Sequence, residues 1–243
     1  MMSMIIKTAY CSYRGGRNYN EDCVRIHQEG ENCAVTVADG LGGHGGGQEA
    51  SSIAAEVIRE AFAQTPKPDR KALAQIYMQA NQAVLARQTD REKMKSTGVS
   101  LFISKGSCIW AHAGDSRLYY FDGGRLTAQT QDHSVSQMAV FSGEITAAQI
   151  RHHPDRNRVL KAFGMPGNFQ AEVSERTALK PGFHAFLLCS DGFWEYVWEL
   201  EMEIELAKAE TPDDWIHAMM QRIASRVPTG HDNCSAAAVF VYA

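Results

Sequence analysis

The sequence predicts an α+β domain built on antiparallel sheet. Three observations point there. Short strand-like runs follow one another through turn signals such as Lys105-Gly106 and Asp122-Gly123-Gly124, two amphipathic helical patterns stand side by side, and apolar runs ending on an aspartate recur along the chain. With 243 residues, 44% of them hydrophobic and 21% charged, the chain can bury a large core and reads as one compact domain over residues 1–243.

Residues 4–10 and 23–27 read as strands joined by the loop RGGRNYNED, which sets Glu21 and Asp22 at a strand start. Residues 33–38 are apolar and β-branched and end on Asp39. Over residues 48–64, Ile53, Val57, Ile58 and Phe62 fall at helical spacing. Past the break at Pro66 and Pro68, a second helix places Leu73, Ile76, Tyr77, Ala80 and Val84 on one face. Residues 98–104, 107–113, 117–121 and 125–128 are strands in hairpin succession. Gly114-Asp115-Ser116-Arg117 interrupts them mid-sheet, which predicts a carboxylate at a turn or bulge. Residues 132–164 turn polar and irregular, and a flap or small subdomain around 133–165 is expected to lie over the sheet. Strands return over 169–177 and 184–189, and FLLCSDG delivers Asp191 and then a glycine, as the earlier run delivers Asp39. Thr211-Pro212-Asp213-Asp214 opens the last helix with an N-cap hydroxyl, proline at the first position and acids in the first turn. Asp232 and Asn233 precede a final apolar strand.

A net charge of −4 with no long Lys/Arg run gives no footprint for nucleic acid. No apolar run approaches a membrane span, and the N-terminus lacks the pattern of a secretory signal, so a cytoplasmic monomer is expected. The six cysteines are scattered without a C-x-x-C pair. Cys11, six positions before Arg17 across a glycine-containing loop, offers a rival chemistry: a thiolate that cradles and attacks a phosphoryl group.

The stretch VTVADGLGGHGGGQEA, residues 35–50, has six glycines in the eight positions after Asp39. Gly40, Gly42 and Gly45 match the G-x-G-x-x-G dinucleotide fingerprint. Asp39, directly before the first glycine, would repel a pyrophosphate, and a second helix follows where a βαβ unit needs a strand. The alternatives left open by the loop are an ordinary glycine-rich turn and a site where Asp39 and a main-chain carbonyl hold a hard cation.

Asp22, Asp39, Asp115, Asp191 and Asp232 all occupy junctions of strand and loop. Each alone is most simply a turn-former or a cap. Converging on one cleft, they would repel one another unless protonated or bridged by cations, and an all-oxygen set without His or Cys favours Mg²⁺ or Mn²⁺.

RNYNED, VADGLGGHGGG, TGVS, GDSRLYYF, QDHS, HHPDRNRVLKAFG, LLCSDGFWEYV and GHDNCSAAAVF occur in this order. In order and separation they resemble the motifs of the metal-dependent protein serine/threonine phosphatases, the type 2C or PPM family, in its compact bacterial form. The resemblance implies a four-layer α-β-β-α sandwich, two antiparallel sheets flanked by helix pairs, with two or three Mn²⁺ or Mg²⁺ ions at one edge. It implies that Asp39 bridges two ions, that Gly40 offers its carbonyl, and that Asp191 and Asp232 complete the first ion's shell. Glu21 and Asp22 would hold metal-bound waters with Asn233 alongside, Asp115 with Asp191 would serve a third ion, and Arg17 would take the substrate phosphate. The implied partners are phosphorylated proteins, in opposition to a serine/threonine kinase. Eukaryotic members carry a histidine directly after the Asp-Gly, where Leu41 stands here; His44 in the glycine loop is then the candidate general acid, against the plainer reading of an exposed histidine. TGVS stands in place of a Gly-Thr-Thr run, with Gly98 expected to be structural. His152 and His153 read as surface residues.

Overall fold

The structure is a computed structural model, and it describes residues 4–42, 46–89, 93–227 and 229–243. The chain opens with three strands, β1 (Ile5–Tyr13), β2 (Asp22–Glu29) and β3 (Asn32–Leu41), then two helices, α1 (Gly46–Gln64) and α2 (Arg70–Arg87). Five strands follow: β4 (Lys95–Ser96), β5 (Gly98–Ser104), β6 (Ser107–Ala113), β7 (Arg117–Asp122) and β8 (Arg125–Gln129). Next come α3 (Val135–Phe141), a 3₁₀ turn (Ala147–His152), and the short strands β9 (Glu172–Val173) and β10 (Thr177–Ala178). The chain ends with β11 (Phe183–Cys189), α4 (Asp191–Trp194), α5 (Glu199–Leu206), α6 (Pro212–Arg226) and β12 (Cys234–Tyr242).

The strands form two antiparallel sheets. One has the order β1-β12-β11-β7-β8; the other has β10-β6-β5-β3-β2, with β4 added to β3 and β9 to β6. Alternation along single strands divides the core. On β5, Val99, Leu101 and Ile103 point between the sheets against Leu118, Phe186, Leu188 and Val239, whereas Phe102 points outward against Ile58, Phe62 and Tyr77 of α1 and α2. On β12, Ala237 and Val239 face the other sheet while Ala236, Ala238 and Phe240 face Trp215, Met219 and Ile223 of α6. The layers are therefore helices, sheet, sheet, helices, the expected sandwich. Strands buried on both faces carry apolar residues at nearly every position, which is why they read as continuous runs.

Local chemistry sets the boundaries. The Lys105-Gly106 turn has both residues at positive φ, 47° and 70°, the primed geometry that suits a two-residue hairpin. Thr211 accepts from the Asp214 amide at 3.1 Å, and Asp214 accepts back from the Thr211 amide at 3.0 Å, closing the capping box that starts α6.

Four stretches differ from the expectation. Residues 169–177, expected as one strand, form only the two-residue strands β9 and β10, because pairing to β6 is confined to Glu172–Val173 and Thr177–Ala178. β1 runs on to Tyr13 because β12 pairs with it as far as Tyr13 opposite Cys234, so Cys11 lies inside a strand. β3 runs through Asp39 to Leu41 because β4 pairs with Gly40 and Leu41. Gly114-Asp115-Ser116 is not a break within one sheet: β6 belongs to one sheet and β7 to the other, so Asp115 sits where the chain crosses between them.

Candidate active site

Four chain crossings supply the site. The antiparallel register of β2 and β3 sets Asp22 directly opposite Asp39. Asp39 is held through its backbone, since its amide donates to Thr97 Oγ1 at 3.2 Å and its carbonyl accepts from the Thr97 amide at 2.8 Å and Ser96 Oγ at 2.9 Å. Gly40 must be glycine for space: a Cβ there would lie 2.1 Å from the Gly47 carbonyl oxygen and 2.7 Å from that of Glu21. Asp115 follows Gly114, whose φ of +106° and close packing on Thr97 leave no room for a side chain. Asp191 opens α4 directly after β11, and Asp232 and Asn233 lead into β12.

These segments enclose a cavity of about 460 Å³. Of the residues expected at the site, it is lined by Arg17, Glu21, Asp39, Gly40, Asp115, Asp191, Asp232 and Asn233. Leu41, Tyr19, Asn157 and Val159 also line it, the last two from the segment expected as a flap. The Asp22 side chain is buried behind the cavity, where one oxygen accepts from Ser190 Oγ at 2.8 Å. His44 lies outside the described residues. Of the other expectations, Gly98 opens β5 with the Phe163 ring in the space of a Cβ; His152 is exposed and His153 half-buried.

The electrostatics are those of crowded carboxylates. Burial first, then Asp22, Asp191, Asp115 and Asp232, hold the Asp39 carboxyl well above its ordinary range. Burial, Asp115 and Glu195 do the same to Asp191. Asp115 is pushed up to about 7 by burial and Asp132, and Asp22 to about 6 by burial, with the Ser190 bond opposing and Asp232 adding to the rise. Among the described residues the one cation paired with these acids is Arg17, whose Nη2 lies 2.5 Å from Asp232 Oδ2. Glu21 Oε1 and Asp22 Oδ1 are buried without a hydrogen-bond partner. Unpaired buried oxygens beside repelling carboxylates are costly as they stand and suit hard divalent cations, whose charge and oxygen preference answer both defects.

Residues beyond the cavity hold it in place. Asn233 joins the segment before β12 to the loop between β1 and β2: its Oδ1 accepts from the Glu21 amide at 2.8 Å, and its Nδ2 donates to the carbonyls of Arg14 and Tyr19 at 2.8 and 2.9 Å. Arg117 is fully buried, forked onto Asp132 at 2.8 and 2.7 Å, with its guanidinium 3.6 Å over the Trp194 ring. His133 receives the Gly114 amide on Nδ1 at 3.2 Å and stacks on His112. His112, His133 and Glu172 bring ligand atoms within 4.8 Å of one another. Lys161 Nζ lies 3.2 Å from the other His133 nitrogen, and through the Gly114 amide on Nδ1 His133 braces the turn that carries Asp115. Arg156 with Glu195 at 2.6 Å and Arg151 with Glu199 at 2.7 Å tie residues 151–156 to α4 and α5. None of these braces has a spacing signal in the sequence, because every partner is remote in the chain.

The rival nucleophile fails on placement. Cys11 is buried on β1 opposite Ala236, does not line the cavity, and has a thiol pushed up to about 12 by burial, so it carries no thiolate at neutral pH.

Residues 13–230 match the family described as Protein phosphatase 2C. The chain belongs to the protein phosphatase 2C family. It is 30% identical over 201 residues to the serine/threonine phosphatase stp of Listeria welshimeri, a span covering 77% of each chain. Among solved structures it is similar to PppA, a key regulatory component of T6SS in Pseudomonas aeruginosa, at 29% identity and a TM-score of 0.72, covering 96% of both chains. It also shares the fold of the catalytic domain of the serine/threonine protein phosphatase PstP in complex with two manganese ions, at 22% identity and a TM-score of 0.83, covering 99% of this chain and all of that one. The type 2C assignment carries the sequence resemblance over most of the chain.

Proposed function

We propose that this protein hydrolyses phosphoserine and phosphothreonine esters of proteins in the carboxylate cavity, with Mn²⁺ or Mg²⁺ held by Asp39, the Gly40 carbonyl, Asp191 and Asp232. A type 2C protein phosphatase is a metal-dependent protein serine/threonine phosphatase. One observation carries the assignment of roles: aspartates from remote parts of the chain converge on one cavity, in carboxyls raised by burial and by one another. Bound divalent ions supply a water acidic enough to attack phosphorus at neutral pH.

The chain's own groups do the rest. Asp39, Asp191 and Asp232 present oxygens from strand and helix ends, Asp115 with Asp191 offers a further position, and the orphaned oxygens of Glu21 and Asp22 would hold metal-bound waters. Arg17 stands at the mouth, largely exposed, where its planar fork matches two oxygens of a phosphoryl group. Asn157 and Val159 cover one side and limit bulk water at the reacting face. The 133–165 segment thus serves as a flap on a single catalytic domain, 1–243. We place the enzyme in the cytoplasm as a monomer that removes phosphate set by a serine/threonine kinase. No helix among the described residues is long and apolar enough to cross a membrane.

The test is hydrolysis of a phosphothreonine peptide by the purified chain with Mn²⁺ and, in parallel, with excess EDTA. Turnover that requires Mn²⁺ is expected; turnover that survives EDTA would overturn the metal assignment.

A further inference from the structure

Beside the cavity lies a second groove of about 720 Å³, bounded by Leu85 and Gln88 at the end of α2, by Lys93 and Lys95 at β4, and by Gly164 and Pro166. Its floor is fixed, because Gln88 Nε2 donates to the carbonyls of Met94 at 2.6 Å and Gly164 at 2.7 Å. Among the described residues no acidic side chain lines it, and neither lysine has an ion-pair partner. In a chain of net charge −4, next to a cavity of carboxylates, the described lining of this groove carries two ammonium groups and no carboxylate.

The groove and the cavity share a wall. Across β3 and β4, Gly40 faces Ser96 and Leu41 faces Lys95, while Ser96 on its other side bridges Phe163. Leu41 lines the cavity, and its cross-strand partner Lys95 lines the groove. Adjacent strands lie about 4.8 Å apart. An extended peptide advances about 3.3 to 3.6 Å per residue, so a substrate whose phosphoryl group sits in the cavity reaches Lys95 and Lys93 within about three to four residues.

We infer that Lys93 and Lys95 select phosphoproteins that carry Asp or Glu three to four residues from the phosphorylated serine or threonine. This rests on the phosphatase reading above and adds to it the chemistry of the substrate's flank. The lysines touch neither the phosphoryl group nor the metal-holding oxygens, so they act on substrate affinity and leave the chemical step alone. Each exposed lysine–carboxylate pair gives about a 1.5- to 5-fold change in affinity, and the two together about 3- to 10-fold.

The test compares kcat and KM of the Mn²⁺-loaded protein on three phosphothreonine peptides: one with alanine flanks, one with glutamates three and four residues before the phosphothreonine, and one with them after it. p-Nitrophenyl phosphate serves as a substrate without flanks. At least one acidic peptide should show a KM about 3- to 10-fold below the alanine peptide at similar kcat, with the difference shrinking as salt is added. The double variant Lys93→Glu/Lys95→Glu should reverse the preference and leave p-nitrophenyl phosphate turnover unchanged. Equal KM values for the three peptides on the native protein, or a preference that survives the charge reversal, overturns the inference. Failure of the native protein to turn over any substrate overturns the phosphatase reading, and the inference with it.

Discussion

The indole Nε1–H of Trp194 donates to the main-chain carbonyl of Asp115 at 2.9 Å. Trp194 closes the short helix that Asp191 opens, so one side chain ties the two acids proposed for a third ion to each other and, through its ring face, to Arg117. Trp194→Phe keeps a ring in the core but leaves that carbonyl unpaired, a loss of about 1 to 3 kcal/mol. At about 2 to 4 °C per kcal/mol for a chain of this size, melting should fall by several degrees. The Mn²⁺ titration of activity should also move to higher concentration; an unchanged titration would show that Trp194 does not position Asp115.

Asp39→Asn should abolish turnover while leaving the metal-free fold at least as stable as the native one. The substitution deletes the charge that four neighbouring aspartates oppose, so the EDTA-treated variant is expected to melt no lower than the native protein. Activity assays and melting curves on the same preparation check both halves, and near-normal turnover would sink the proposed mechanism.

Metal and pH should trade against each other. The Asp115 and Asp22 carboxyls, raised to about 7 and about 6, contribute stability that is complete below about pH 4, the ordinary aspartate value, and is lost as pH rises through 6 to 7. In EDTA the melting temperature should therefore drop between about pH 5.5 and 8. Millimolar Mn²⁺, which binds the ionised oxygens of the native state, should remove or reverse the drop. Parallel slopes with and without Mn²⁺ would count against a preformed site.

Arg17 and Asp232 form an ion pair at the cavity. Arg17→Ala should raise KM for a phosphopeptide about tenfold or more with a smaller change in kcat, and Arg17→Lys should recover only part of it, since an ammonium cannot fork two oxygens. Steady-state kinetics on the two variants decide this, and equal KM values for all three proteins would remove Arg17 from phosphate binding.

Cys11→Ala should retain full Mn²⁺-dependent activity, because the thiol is buried in the core between its sheet and α6, outside the cavity. Inactivation of that variant without loss of folding would restore the thiolate chemistry.

Much of this site was legible in the sequence for one physical reason: an aspartate that ends an apolar strand beside a glycine is a conspicuous local pattern. Asp39, Asp115 and Asp191 all announce themselves that way. The crossing between sheets at Asp115 was not legible, because β6 and β7 look like two more arms of a hairpin series and nothing local says which sheet each will join. Nor was the Arg117–Asp132 pair, whose burial depends on Trp194 arriving from a distant helix. The layer order needed the family resemblance, since strands buried on both faces show no alternation to reveal which face meets the helices.

The place of β12 between β1 and β11 has a consequence for how the cavity assembles. β1 and β12 are hydrogen-bonded neighbours, and Asn233, leading into β12, fastens the loop that carries Arg17 by donating to Arg14, 219 positions away. No local element therefore builds this end of the cavity. It closes only when one of the most remote pairings in the sheet has formed, so Arg17 and Asp232 are gained or lost together with the docking of a single strand.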